Sequence, residues 1–147
     1  MEIAEQVMAD TIVEVLERAA YLFVTPSSDE DKPFVALWFK AQCAFTKPVS
    51  GRVYIAVEPV LAFEIAENML GDEIDHQDGI TAARDALGEV LNMACGRLGD
   101  HLLTSGLDYS LPSVIETSIL GTGARNRMRF QSESGHALEF GWEPANA

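Results

Sequence analysis

The stretch Arg84-Asp85-Ala86-Leu87-Gly88-Glu89-Val90-Leu91-Asn92-Met93 decides the fold, because an earlier stretch echoes it. Ala9-Asp10-Thr11-Ile12-Val13-Glu14-Val15-Leu16-Glu17-Arg18 matches it without a gap. Asp10 falls on Asp85, and Glu14-Val15-Leu16 falls on Glu89-Val90-Leu91. Both read as amphipathic helices, and each is followed, with rough correspondence, by segments of strand character. The echo predicts a duplicated α-then-β unit with a pseudo-two-fold axis.

Outward from the two echoes the chain divides as follows. The first 24 residues form a helix with Ile12, Val15, Leu16, Ala19 and Phe23 on one stripe. A polar, turn-rich link covers 25–33. Phe34 to Phe45 is a strand, and Lys47-Pro48-Val49-Ser50-Gly51 a hairpin loop into a second strand, Arg52 to Val57. Pro59 opens a helix that runs to Leu70 and stops at Gly71. An acidic loop, Asp72 to Gly79, leads into a long helix from Thr81, its expected cap, to Thr104. Strands follow at Ser113 to Leu120, Arg125 to Ser132 and Ala137 to Trp142, the last two joined by Glu133-Ser134-Gly135. The expected fold class is α+β: one domain over 1–147, a mainly antiparallel sheet and two long helices.

On the long helix the core stripe is Leu87, Val90, Leu91, Ala94, Cys95 and Leu98. Asp85, Glu89 and Asn92 (spaced i, i+4, i+7) fall within about 60° of one another on the other side. Gly88, Gly96 and Gly99 project onto that same side. Three glycines inside a helix cost roughly 2–3 kcal/mol relative to alanine, which a merely solvated face has no reason to bear. Two explanations remain open: a smooth face onto which another protein docks, or close packing by an element of the same molecule or a dimer mate.

Composition narrows the classes. The net charge is −13 and the pI about 4.4, a balance that repels nucleic acid and anionic lipid, which are bound largely through Lys and Arg. No apolar run approaches the ~20 residues of a membrane span, and Met1-Glu2-Ile3-Ala4-Glu5 lacks the basic and apolar parts of a signal peptide. An intracellular, cytoplasmic protein is expected. Cys43 and Cys95 show no ligand spacing and read as buried reduced thiols. His76, His101 and His136 form no HExxH-like pair, so no protein-held metal is expected. Trp38, Phe39, Phe45 and Tyr54 read as core or interface, and Arg125, Arg127 and Arg129 as one face of a strand.

The chemistry open to Glu plus Asn is limited. No Ser or Cys stands beside a His as a nucleophile would, and a carboxamide is no general base. It can accept from and donate to a water, fixing it in line with a scissile bond. Phosphoryl transfer needs little more, since positioning and electrostatics do most of the work. The pair suits hydrolysis in which a partner supplies metal, phosphate and acyl group.

Asp85-x3-Glu89-x2-Asn92, followed by Pro112, resembles the signature of the CheC, CheX and FliY phosphatases of bacterial chemotaxis, which dephosphorylate the response regulator CheY. Asp85-Ala86-Leu87-Gly88-Glu89-Val90-Leu91-Asn92-Met93-Ala94-Cys95-Gly96 is similar to that family's active helix, and Glu64-Ile65-Ala66-Glu67-Asn68-Met69-Leu70-Gly71 to the helix before it. The resemblance implies that Glu89 pairs with the regulator's active-site lysine and that Asn92 orients the attacking water. Asp85 supports the motif, Pro112 shapes the turn into the next strand, and the regulator brings its own Mg2+. The interval from Asn92 to Pro112 is a little shorter than the family pattern. The first helix carries Glu17 opposite Asn92, with Val13, Tyr21 and Val24 opposite the glycines, so only the second copy should be active. One active helix per chain is similar to CheX, which also implies a homodimer. A rival reading keeps the fold without the reaction: a response-regulator-binding or flagellar-switch-like module. A third is an acidic structural domain.

Overall fold

The computed structural model describes residues 4–27, 35–47, 50–75, 77, 79–101, 108–120 and 126–144. In chain order these form α1 (Glu5–Ala20), β1 (Val24–Pro26), β2 (Trp38–Lys47), β3 (Gly51–Val57), α2 (Pro59–Leu70) and α3 (Ile80–His101). β4 (Asp108–Tyr109), β5 (Ser113–Thr117), β6 (Asn126–Ser132) and β7 (Ala137–Pro144) follow. The strands make one sheet in the order β1-β6-β7-β3-β2, with β4 and β5 both pairing the far side of β2. Every pairing is antiparallel.

That order reads the same from either end once the two units are marked. α1-β1-β2-β3 is one unit and α3-β5-β6-β7 the other. β3 and β7 pair at the centre, the β2–β3 and β6–β7 hairpins flank them, and each unit's first strand crosses to the outside of the other's hairpin. The echo in the sequence is thus a pseudo-two-fold of interlocked halves, with α2 as the connector.

Alternation along the strands separates two faces. Phe39, Ala41, Cys43 and Phe45 of β2, Val53, Ile55 and Val57 of β3, and Leu138, Phe140 and Trp142 of β7 face the three helices. They meet Ile12, Val15 and Leu16 of α1, Leu61, Ala62 and Ile65 of α2, and Leu87, Val90, Leu91, Ala94 and Leu98 of α3. On the opposite face Trp38, Tyr54, Ala56 and Ala137 form a second cluster, against which Val35 and Leu120 pack. There Glu139 is buried. Its carboxylate accepts from the Tyr54 hydroxyl at 2.9 Å and pairs with Arg129 at 3.1 Å, while Arg129 stacks over Trp38 and Lys40 over Tyr54. Gly141 makes this possible, since a Cβ there would lie 2.6 Å from the Tyr54 ring.

Several boundaries move from the expected ones, each for a local reason. α1 ends at Ala20 because Tyr21 turns left-handed (φ 50°), which leaves Phe23 exposed and buries Leu22 instead. Part of the expected polar link is strand: Val24–Pro26 pairs with β6, and 28–33 lie outside the described residues. β2 begins at Trp38 and reaches Lys47, where it meets β4, a strand too short to leave a pattern, while Phe34 of the expected strand and 48–49 of the expected hairpin loop lie outside the described residues. β5 stops at Thr117. α2 holds its expected bounds, closed by Gly71 at φ 72°. Thr81 is not the cap of α3: the helix starts at Ile80, and the Gly79 carbonyl already accepts from Ala83 N–H. The expected helix end at 102–104 lies outside the described residues.

Candidate functional site

α3 positions the polar residues because its leucines leave it no choice. Ala83, Leu87, Val90, Leu91, Ala94 and Leu98 are buried, which turns Asp85 and Glu89 fully outward and leaves Asn92 half-buried. The other wall comes from the chain entering β5. Ser110 clamps that approach to β2 twice: its N–H donates to the Ala44 carbonyl at 2.8 Å, and its hydroxyl accepts from Ala44 N–H at 3.0 Å. From the α3 side the Arg84 guanidinium donates to the Val114 carbonyl at 2.5 Å. Between helix and strand runs a groove of about 300 Å3. Arg84, Asp85, Gly88, Glu89 and Asn92 line one side, and Leu111, Pro112 and Val114 the other.

The sequence placed four of these together, and the structure brings all four to one groove: Asp85, Glu89, Asn92 and Pro112. The glycines part company. Gly88 lines the groove, where a Cβ would sit 3.6 Å from Val114 and 3.8 Å from Pro112, at ordinary contact with the facing wall. Gly96 is exposed, with the Tyr109 hydroxyl 3.8 Å from where a Cβ would be. Gly99 is buried and does not share the open face, although Gly96 before it and Asp100 after it are exposed. A smooth landing strip of three glycines therefore reduces to Gly88 and Gly96.

Three contributors escaped the sequence reading. Leu111 is 87% exposed on the groove's rim, an apolar side chain held out by the clamped Ser110 and the stiff Pro112. Its only signal was one leucine inside the polar turn Ser110-Leu111-Pro112-Ser113. Nothing in the sequence singled out Arg84. Tyr109 lies behind the site, its hydroxyl reaching the Asn92 carbonyl at 3.5 Å. Burial, with smaller contributions from Cys95, Cys43 and Glu89, raises its phenol above the usual range, so it stays a neutral donor.

The first copy is occupied differently. Glu14, the counterpart of Glu89, is bound by Arg97 at 2.6 Å and Arg18 at 3.3 Å. Tyr21, opposite Gly96, ends its helix.

The family model described as chemotaxis phosphatase CheX matches residues 39–128, which takes in the groove and both of its walls. The chain belongs to the CheX family. CheX of Vibrio vulnificus shares 24% identity at a TM-score of 0.73, over 97% of this chain and all of that one. CheX of Desulfovibrio desulfuricans shares 25% at 0.70, over 94% of this chain and 97% of that one. The CheX–CheY–BeF3–Mg2+ complex of Borrelia burgdorferi aligns at 18% and 0.66, over 94% and 95%. No curated protein sequence matches the chain. The expected α+β fold with paired units is thus the fold of solved CheX proteins.

Proposed function

We propose that the protein is a cytoplasmic phosphatase that hydrolyses the aspartyl phosphate of a CheY-like response regulator. The observation that carries this is the groove in which Glu89 and Asn92 of α3 stand beside Asp85 and opposite Pro112. The Asn92 carboxamide orients a water in line with the bond between phosphorus and the regulator's aspartate. The water oxygen bonds to phosphorus as that bond breaks. The aspartate leaves as carboxylate, and the water's proton ends on the departing inorganic phosphate. Glu89 pairs with the regulator's active-site lysine and fixes the docked geometry. Asp85 supports the start of the motif and Pro112 shapes the facing wall. Gly88 and Gly96 let the regulator approach, and Leu111 offers it an apolar contact. The regulator brings the Mg2+; among the described residues no group of three or more His, Cys, Asp or Glu side chains could hold a metal ion.

The Borrelia CheX captured with CheY supports a receiver-type partner. Sequestration of Glu14 by Arg97 and Arg18, with Glu17 opposite Asn92, supports one active helix per chain. β5 pairs on one side only among the described residues and carries exposed Ile115, with Ile119 just beyond it. That edge suits a second copy, giving a homodimer, which sedimentation equilibrium tests.

The deciding experiment is phosphate release from a phosphorylated receiver, with the wild type and Asn92→Ala. The expected outcome is catalytic acceleration by the wild type, lost about 100-fold in the variant while binding to the beryllofluoride-loaded receiver persists. Binding by the wild type without acceleration would instead make the protein an interaction module on this scaffold.

A further inference from the structure

Two thiols that the proposed reaction does not use lie in contact at the centre of the molecule. Cys43 stands in the middle of β2, paired with Val53. Cys95 lies on the core stripe of α3, three residues past Asn92. Their sulfurs are 2.7 Å apart, and the residues are 1% and 0% exposed. Fifty-two positions separate them in the chain, so only the packing of α3 on the sheet brings them together.

We propose that Cys43 and Cys95 are a paired oxidation site that closes to an intramolecular disulfide under peroxide. The contact carries this: closure asks the sulfurs to approach by roughly 0.7 Å to reach bonding distance. Either S–H can donate across the contact; with Cys95 as the donor, the shared proton holds the Cys43 thiol below its usual range and Cys95 above it. Cys43 is therefore the nucleophile and Cys95 the resolving thiol.

The steps balance. The Cys43 thiolate attacks one oxygen of hydrogen peroxide, the O–O bond breaks, and hydroxide leaves to take up the proton Cys43 released. Cys43 is now a sulfenic acid. The Cys95 sulfur attacks the Cys43 sulfur, the S–S bond forms, and hydroxide departs with the Cys95 proton as water. Two thiols and one peroxide give one disulfide and two waters. In a reducing compartment such a bridge is transient.

Burial sets the rate, because the peroxide must reach the sulfurs. Tyr109 belongs to β4, a strand of two residues, and its hydroxyl stands over α3 between Asn92 and Gly96. It is partly buried and packs against the core cluster that holds both thiols. Removing its ring should open the way without touching either thiol.

The test treats the folded chain with hydrogen peroxide and follows free thiols after denaturation, intact mass, and peptides by mass spectrometry. Expected is loss of both thiols together, a mass lower by about 2 Da, peptides joined through Cys43 and Cys95, and full recovery with dithiothreitol. Tyr109→Ala should speed the loss about tenfold, while Cys43→Ser and Cys95→Ser abolish the 2 Da change. Peptide mapping of the wild type decides the matter even where a serine variant does not fold. Two thiols surviving in the folded wild type, or oxygen adducts in place of a joined peptide, would overturn the proposal.

Discussion

Gly88 leaves space on α3 for about one methyl group. Its nearest neighbours would meet an added Cβ at ordinary contact distances, 3.6 Å from Val114 and 3.8 Å from Pro112. Alanine also frees the helix of a glycine's conformational cost. Gly88→Ala should therefore stabilise the fold by about 0.5–1 kcal/mol, seen as a higher urea midpoint. The same methyl narrows the groove beside Glu89 and Asn92. On the proposed function it raises KM for the phosphorylated receiver, so stability and activity move in opposite directions. Leu111 separates the two quantities the other way. Already exposed, it can become Asp at a stability change within about 0.5 kcal/mol, yet Leu111→Asp should weaken receiver binding about tenfold by placing a charge where an apolar contact forms. Titration calorimetry against the beryllofluoride-loaded receiver reads this directly.

Among the elements, what the sequence revealed depended on how much side-chain pattern each one carries. α2 was legible to the residue because Pro59 and Gly71 punctuate it and apolar residues fill the interval. α3 was legible as a face, since its leucines fix which side turns outward, and with that face came Asp85, Glu89 and Asn92. β1 and β4 were not: strands of three and two residues hold no alternation to read, and long-range pairing with β6 and β2 makes them strands at all. The groove's second wall was half legible. Pro112 stood out by its resemblance to a motif, whereas the Arg84 tie to the Val114 carbonyl depends on a neighbour 30 positions away. Cys43 and Cys95 were each legible as buried, but nothing in their spacing announces contact. Arg84→Ala should cost about 1–2 kcal/mol and let β5 move relative to α3, with faster amide exchange in 113–117 than in 53–57.

For the molecule as a whole, the face away from the helices governs behaviour in alkali. Burial first, and the Glu139 carboxylate next, raise the Tyr54 phenol above its ordinary value. The folded state therefore keeps a proton that the unfolded chain gives up near pH 10. The stability this group contributes is fully present below about pH 10 and falls as the pH rises above it. Urea midpoints measured from pH 8 to 12 should decline across the upper half of that range. Tyr54→Phe should flatten the decline while lowering stability at neutral pH by about 1 kcal/mol, because Glu139 loses a donor.

The crossing of β1 and β5 into each other's half carries a consequence for how separable the halves are. Cut in the loop between Gly71 and Gly79, the chain yields one piece ending in α2 and another beginning with α3. Neither piece owns a complete sheet: the first lacks β6 and β7, and the second lacks β2 and β3. Alone, each should give the circular dichroism of an unfolded peptide. Mixed, they should find each other, one to one, and rebuild the native spectrum. What one chain does here is what two copies of a half-length ancestor could have done by embracing.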